Sequence, residues 1–265
     1  MNLFVTGCSH TEGTTLALDN DLNKAWPYAL QKLLKADEMI NLSMIGCSND
    51  RLVRTAVETV STFRDSFDMA VVQFTDPTRF EFPHTKDTNH FYQAIPKTYH
   101  SGDPVYQTHI DNTEEPIKNY ILEYYDTNNQ DVLSLIHSRF LTQILTLQNL
   151  FENHFIPYVF IVWYDLPRFT SEADKQLFSV IDKSRILNYH SGAGRCYSMD
   201  RIMQSNGFTL CNKIRKDGSK DKHYMEDGHA FIASLLHDFI KYEKAIPIPF
   251  INRRDIGPEA IHTYD

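Results

Sequence analysis

Two polar segments of the sequence carry the side chains that a serine nucleophile needs. Residues 7–13 read GCSHTEG and hold Ser9, while residues 225–237 read MEDGHAFIASLLH and offer His229 as a base and Asp227 as its orienting carboxylate. A serine hydroxyl becomes a good nucleophile when a base takes its proton and a third group orients that base. Each segment also has an ordinary interpretation: GCSHTEG is typical of a Gly-flanked turn, Asp227 of a helix N-cap and His229 of a surface histidine.

A third segment, NLSMIGCSNDR at residues 41–51, is a candidate oxyanion hole. It places Gly46 after an apolar run, and Ser48 and Asn49 at the start of a helical pattern, where backbone N–H groups give the helix end partial positive charge. The backbone N–H of Gly46 and the side-chain amide of Asn49 are suitable donors for a developing oxyanion. The alternative is a plain strand-to-helix turn in which Ser48 or Asn49 caps the helix.

The elements that must position these segments alternate along the chain. Short apolar runs predict strands at 3–5, 39–42, 69–74 and 158–163, with a weaker fifth strand at 208–211, and helical spacing is found at 26–34, 49–63, 133–151, 174–187, 198–206 and 231–242. This order predicts a parallel sheet with helices on both faces. In an open sheet of order 2-1-3-4-5, ligands bind beyond the carboxyl ends of the strands, which singles out residues 7–13 and 74–79.

The same alternation predicts a single α/β domain over residues 1–244. A Pro-, His- and Tyr-rich stretch at about 77–130 interrupts it and is interpreted as an insertion with structure of its own. Residues 245–265 are predicted to form an extended tail.

The amino-acid composition disfavours several classes of protein, among them nonspecific nucleic-acid binders, zinc ribbons and membrane proteins. The chain has 265 residues with 26 basic and 34 acidic side chains, a formal net charge of −8, which disfavours nonspecific nucleic-acid binding. The four cysteines are far apart, without the CxxC pairs of a zinc ribbon, and favour a reducing compartment. His223, His229 and His237 lack the HExxH spacing, so a catalytic metal is not expected. No other cofactor is expected either. The sequence shows no secretory signal pattern and no run of 18 apolar residues, so a cytoplasmic protein without a membrane partner is expected.

Together the segments resemble the SGNH, or GDSL-type, hydrolases. The matches occur in chain order: GCS with Ser9, WPYAL around Trp26, NLSMIGCSN with Gly46, and DGH followed by an apolar helix. The resemblance implies a flavodoxin-like three-layer α/β/α sandwich with a mostly parallel five-stranded sheet. It also implies Ser9 as nucleophile, His229 as base, Asp227 as its orienter, and an oxyanion hole from the backbone N–H groups of Ser9 and Gly46.

The sequence departs from this family in three places. Ala230 follows His229 where the family usually has proline. Cys8 replaces the acidic residue of the GDS motif, and QFTD at residues 73–76 replaces the GxND segment whose asparagine completes the oxyanion hole. Thr75 then occupies the place of that asparagine, and Gln73 or Asn49 is a substitute donor. GCSHTEG with NLSMIGCSNDR is also similar to the variant found in phage-encoded members, for which the compartment would be the host cytoplasm.

The expected activity is hydrolysis of a small-molecule or glycan ester, such as an acyl ester of a carbohydrate or nucleoside, through an acyl-enzyme. Transfer of the acyl group to a sugar or nucleoside hydroxyl would make an acyltransferase, and a degenerate site would make a binding protein. A further interpretation takes Cys8 as the reactive group. Arg79 is a candidate contact for an anionic substrate group, with Asp76 and His10 as further substrate-binding candidates, and the tyrosines of the insertion suit stacking on a sugar or base.

Overall fold

The structure is a computed structural model that describes residues 1–17, 21–63, 66–83, 91–94, 115, 118–120, 130–164, 166, 169, 171–191, 193–211 and 223–242. Its strands are β1 (Asn2–Thr6), β2 (Glu38–Asn41), β3 (Met69–Phe74), β4 (Phe80–Pro83), β5 (Phe91–Ala94), β6 (Tyr158–Val162), β7 (Tyr189–His190) and β8 (Arg195–Cys196). Its α-helices are α1 (Ser9–Glu12), α2 (Thr14–Ala17), α3 (Trp26–Leu34), α4 (Asn49–Thr62), α5 (Gln130–Asn153), α6 (Glu172–Val180), α7 (Met199–Ser205) and α8 (Glu226–Tyr242).

A parallel sheet of four strands, in the order β2-β1-β3-β6, forms the centre of the described fold. Leu3 pairs with Met39 on one side and with Met69 on the other, and Val72 of β3 pairs with Phe160 of β6. All residues of β3 and β6 are buried, as expected for strands covered on both faces. The predicted parallel α/β sheet is therefore confirmed.

Helices cover both faces of this sheet and create two separate apolar cores. Because side chains alternate along a strand, Phe4 of β1 enters the core beneath α4 and α5, whereas Leu3 and Val5 enter the core beneath α3, α7 and α8. Burial of Phe140 and Ile232 fixes α5 and α8 on opposite faces of the sheet. This is the predicted three-layer α/β/α arrangement.

The fifth position of the sheet differs from the prediction. Helix α6 ends at Val180, and the segment after it runs beside β6, where Ile186 forms a single parallel bridge with Phe160. The side chain of Asn188 then replaces a strand partner, because it accepts from the N–H of Val162 at 3.0 Å and donates to its carbonyl at 2.6 Å. The predicted strand at 208–211 does not join the sheet: Leu210 bridges Tyr224 in antiparallel fashion.

Helix α8 begins at Glu226, five residues before the predicted start at residue 231. Within the predicted insertion, the antiparallel pair of β4 and β5 is described, with Phe80 opposite Ala94. The rest of the insertion lies mostly outside the described residues, and the predicted tail at 245–265 lies entirely outside them.

Candidate active site

The turn between β1 and α1 presents Ser9 at the carboxyl end of β1. Ser9 is the first residue of α1, and its side chain is buried except for a 6% exposed fraction. Gly7 makes this tight turn sterically possible, since a Cβ atom there would lie 2.0 Å from Thr11 Oγ1 and 3.1 Å from Gln73 Cβ. This turn therefore requires glycine at position 7, two residues before the serine.

Gln73 of β3 holds this turn against the sheet. Its Oε1 accepts from the hydroxyl of Thr11 at 2.6 Å, and its Nε2 donates to the carbonyl of Phe74 at 3.1 Å and lies 3.4 Å from Cys8 Sγ. The prediction of Gln73 as an oxyanion donor is wrong, because these contacts already occupy its amide. Gln73 instead fixes the backbone that carries Ser9.

His223 is the base candidate that the structure places beside Ser9. Its Nε2 lies 2.7 Å from Ser9 Oγ, and both side chains are buried. The backbone of His223 is held in place because its carbonyl accepts from the N–H of Cys211 at 2.7 Å. This pair has the geometry in which an imidazole removes a hydroxyl proton.

His10 packs against the ring of His223, beside Ser9. Its ring stacks on Trp163 with 3.9 Å between centroids and an interplanar angle of 18°, and it lies 4.6 Å from the ring of His223. His10, predicted as a substrate contact, therefore packs between the base candidate and the end of β6. Such ring packing restricts the orientations open to the imidazole of His223.

The predicted pairing of Ser9 with His229 is wrong. His229 is 2% exposed on the buried stripe of α8, and its Nδ1 accepts from the backbone N–H of Trp26 at 3.2 Å. Burial, and next the charge of nearby His223, lower the pKa of His229 to about 4. His229 therefore joins α8 to the first turn of α3 as a neutral acceptor.

Asp227 is not placed as the orienting carboxylate of a Ser9 base either. Its side chain is exposed in the first turn of α8, where Oδ1 accepts from the N–H of Gly228 at 2.8 Å. A carboxylate at a helix N-terminus compensates the unpaired N–H groups there. The alternative interpretation of Asp227, as a helix-terminal carboxylate, thus fits its position.

Two of the predicted oxyanion donors are backbone N–H groups, those of Ser9 and Gly46. Neither donates a hydrogen bond within the part of the chain that the structure describes. Gly46 has a φ of 70°, and a Cβ there would meet no atom of the described residues within 4 Å. The carboxylate of Glu12 hydrogen bonds to the backbone of Ile45 and so secures the neighbouring peptide.

Asn49 connects the start of α4 to the loop after β3. Its Oδ1 accepts from the N–H of Thr75 at 2.9 Å, and its Nδ2 donates to the carbonyl of Thr75 at 3.1 Å. The capping role falls to Ser48, whose Oγ accepts from the N–H of Arg51 at 3.3 Å. Of the predicted oxyanion donors, Asn49 keeps one amide hydrogen for other use, and Thr75 keeps its hydroxyl.

The remaining predicted substrate contacts lie on the loop that follows β3. Asp76 Oδ1 accepts from the N–H of Thr78 at 2.9 Å and from its hydroxyl at 2.8 Å, so this carboxylate shapes the turn. Arg79 ends the turn and extends its guanidinium towards the carbonyl of Cys47, 3.5 Å from Nη1. Arg79 thus reaches the segment that contains Gly46.

The described residues contain no group of three or more His, Cys, Asp or Glu side chains arranged to hold a metal ion. None of the described helices combines the length and the hydropathy needed to cross a bilayer.

His223 was missed by the sequence interpretation, yet the sequence carries a signal for it. His229 occurs at spacing i, i+3, i+4 and i+7 with Ile232, Ala233 and Leu236, which marks the buried face of a helix. His223 comes before that helical pattern begins. Its side chain is therefore not confined to the buried face of the helix and can reach the carboxyl ends of the strands.

Comparison with known proteins identifies the family. The chain belongs to the family of unknown function DUF6071, whose model matches residues 14–247. No curated protein matches the sequence.

Solved structures similar to this chain include lipolytic proteins and an esterase. A member of the lipolytic protein G-D-S-L family from Veillonella parvula is 10% identical, with a TM-score of 0.40 over 92% of this chain and 99% of that one. Phospholipase A1 from Streptomyces albidoflavus is 12% identical, with a TM-score of 0.41 over 89% and 98%. The esterase EstA from Pseudoalteromonas is 11% identical, with a TM-score of 0.40 over 91% and 96%. The chemistry open to this chain depends on its own side chains.

Proposed function

We propose that this protein is a serine ester hydrolase in which Ser9 is the nucleophile and His223 is the general base. The observation that carries the proposal is the 2.7 Å contact between Ser9 Oγ and His223 Nε2 at the carboxyl end of β1. In an α/β sheet of this order, that edge is where ligands bind. The braced ring of His223 adds the fixed orientation that a base requires.

The reaction follows from these positions. Ser9 Oγ attacks the acyl carbon of the ester while His223 Nε2 takes the hydroxyl proton, and the carbonyl oxygen becomes an oxyanion that the N–H groups of Ser9 and Gly46 stabilise. When the carbonyl re-forms, the bond to the alcohol breaks and His223 returns the proton to the departing oxygen. Water, deprotonated by His223, then attacks the acyl-enzyme and releases the acid and the Ser9 hydroxyl.

A thiol mechanism through Cys8 is less consistent with the packing. The side chain of Cys8 is fully buried, and its sulfur lies against the amide of Gln73, 3.5 Å from Oε1. A reactive cysteine needs partial exposure and an environment that favours the thiolate. Ser9, one residue further along the chain, has the base that Cys8 lacks in the described contacts.

Labelling with a fluorophosphonate probe tests the proposal. Wild-type protein should react covalently, Ser9→Ala should not react, and His223→Gln should react about 100-fold or more slowly because the base is lost. His229→Asn is the matched control, since its side-chain oxygen can still accept from the N–H of Trp26, and it should label like wild type. Equal labelling of the His223→Gln and wild-type proteins would refute the assignment. An absence of labelling and of p-nitrophenyl ester hydrolysis in folded wild type would favour a binding protein.

A further inference from the structure

Arg79 has an unused hydrogen-bonding edge beside the proposed oxyanion hole. Nε is buried without a partner, and Nη2 makes no hydrogen bond within the described part of the chain. Among the described residues, the guanidinium is engaged through Nη1 alone, by the 3.5 Å contact to the carbonyl of Cys47. The Nε–Nη2 edge of a guanidinium is one of the forks that bind a carboxylate or phosphate in bidentate fashion.

The charge of Arg79 also lacks a salt-bridge partner among the described residues. Asp76 is the nearby carboxylate, but its Oδ1 faces the backbone and hydroxyl of Thr78. Burial opposes the charge on Arg79, yet nearby Cys8, Tyr164 and Asp76 raise its pKa, so it remains cationic. A partly buried cation without a bound counter-anion is costly, and a ligand anion would relieve that cost.

The same turn contains a second polar atom without a partner. Thr75 Oγ1 is buried and makes no hydrogen bond in the described part of the chain. By contrast, Arg54 and Arg139, which lie nearby in the fold, both have carboxylate partners, in Glu81 and Asp50. Of these three arginines, Arg79 is the one whose charge has no carboxylate partner in the described part of the chain, and this points to a ligand.

We propose that Arg79 binds an anionic group, a carboxylate or a phosphate, on the ester that Ser9 attacks. This inference rests on the proposed hydrolase function and adds the substrate class to it. Arg79 donates to the carbonyl of Cys47, next to Gly46, so the anionic group lies close to the oxyanion hole. The substrate is therefore a short anionic ester whose charge lies near the reacting carbonyl.

A matched pair of substrates tests this specificity. Mono-p-nitrophenyl succinate and p-nitrophenyl butyrate have acyl chains of equal length, and they differ in one terminal carboxylate. Wild type should show a kcat/KM about 10- to 100-fold higher for the succinate ester, as expected from a charge-assisted bidentate contact. Arg79→Met should lower the ratio of kcat/KM for the succinate ester to kcat/KM for the butyrate ester to about one, and Arg79→Lys should keep part of the preference.

A remote arginine provides the control. Arg185 is exposed and lies over the ring of Tyr158. Tyr158 begins β6, so it lies at the amino end of that strand, away from the site at the carboxyl ends. Arg185→Met removes the same charge and should leave the substrate preference unchanged. A wild type without the preference, or an Arg79→Met variant that retains it, would overturn the proposal. So would an equal loss on both esters in Arg79→Met, because Arg79 would then act on the reacting carbonyl instead of the substrate charge.

Binding provides a readout that does not depend on catalysis. Succinate and inorganic phosphate are titrated into Ser9→Ala protein and into the Ser9→Ala, Arg79→Met double variant by calorimetry. At least one of these anions should bind the single variant about tenfold or more tightly than the double variant, and the comparison of the two identifies the preferred anion. If ester hydrolysis is absent but this difference is found, the hydrolase function fails and the anion site stands. If hydrolysis is present but neither anion depends on Arg79, only the anion site fails.

Discussion

Buried His229 should make the stability of the fold depend on pH. In the native state its pKa is lowered to about 4 from the ordinary value of 6.5, chiefly by burial. Between those two values the unfolded chain binds a proton at this position and the native protein does not. Stability from this group is therefore fully present above about pH 6.5 and is lost as the pH falls towards 4.

The size of the effect follows from the two pKa values. Each unit of difference corresponds to about 1.4 kcal/mol, so the full effect is about 3 kcal/mol, of which about 2 kcal/mol is lost between pH 7.5 and pH 5. A loss of this size is a large fraction of the roughly 5–15 kcal/mol by which domains are stable. The side chain is almost completely buried, so solvent screening reduces the effect little.

Urea unfolding of wild type and His229→Asn at pH 7.5 and pH 5 measures the contribution of His229 to the free energy of unfolding. Asparagine keeps an acceptor near the position of Nδ1 for the N–H of Trp26 but does not titrate in this range. The cavity left by the smaller side chain lowers the variant's stability at both pH values, so the pH-dependent difference isolates the imidazole. Wild type should lose about 2 kcal/mol more than the variant on going from pH 7.5 to pH 5. An equal loss in both proteins would show that His229 is not the neutral, buried acceptor described above.

Two further predictions concern the loops that carry the site. Asn49→Ala should lower the free energy of unfolding by about 2 kcal/mol and slow fluorophosphonate labelling, because it removes two buried hydrogen bonds to Thr75. Wild-type stability of Asn49→Ala in urea unfolding would contradict the role of this amide. Cys8 and Cys47 should resist iodoacetamide at pH 8 in the native protein and react in urea, because both are fully buried and burial raises the pKa of Cys47 to about 12. Rapid native alkylation mapped to Cys8 by mass spectrometry would instead favour the thiol mechanism.

The architecture was predictable because its signals are local. Runs such as MAVVQF and YVFIVW are apolar almost throughout, as expected for strands covered on both faces, and both form fully buried strands of the sheet. The fifth position was not predictable in the same way. There a single bridge at Ile186 and the side chain of Asn188 pair with β6 in place of a strand. Neither contact requires an apolar run in the sequence, so no strand pattern marks this position.

The candidate site was predictable only in part. The base was misassigned because the start of α8 was predicted at the wrong residue. Ser9, Gly46 and Asn49 could be placed because they follow strands whose ends define one edge of the sheet. A start of α8 at residue 231 left His229 in a loop, whereas its actual start at Glu226 puts His229 on the inner face. Element boundaries are the weakest part of any sequence interpretation, and a shift of one helical turn changes which histidine faces the cleft.

The contact between Ser9 and His223 joins positions 214 residues apart in the chain. Loop-closure entropy makes contacts of such separation late events in folding, after the intervening strands have paired. During synthesis, the nucleophile emerges from the ribosome before its base, and a nascent chain that ends before His223 carries Ser9 without this activator. The acyl chemistry proposed for the pair is thereby withheld until the chain has been translated through His223 and the sheet between them has closed.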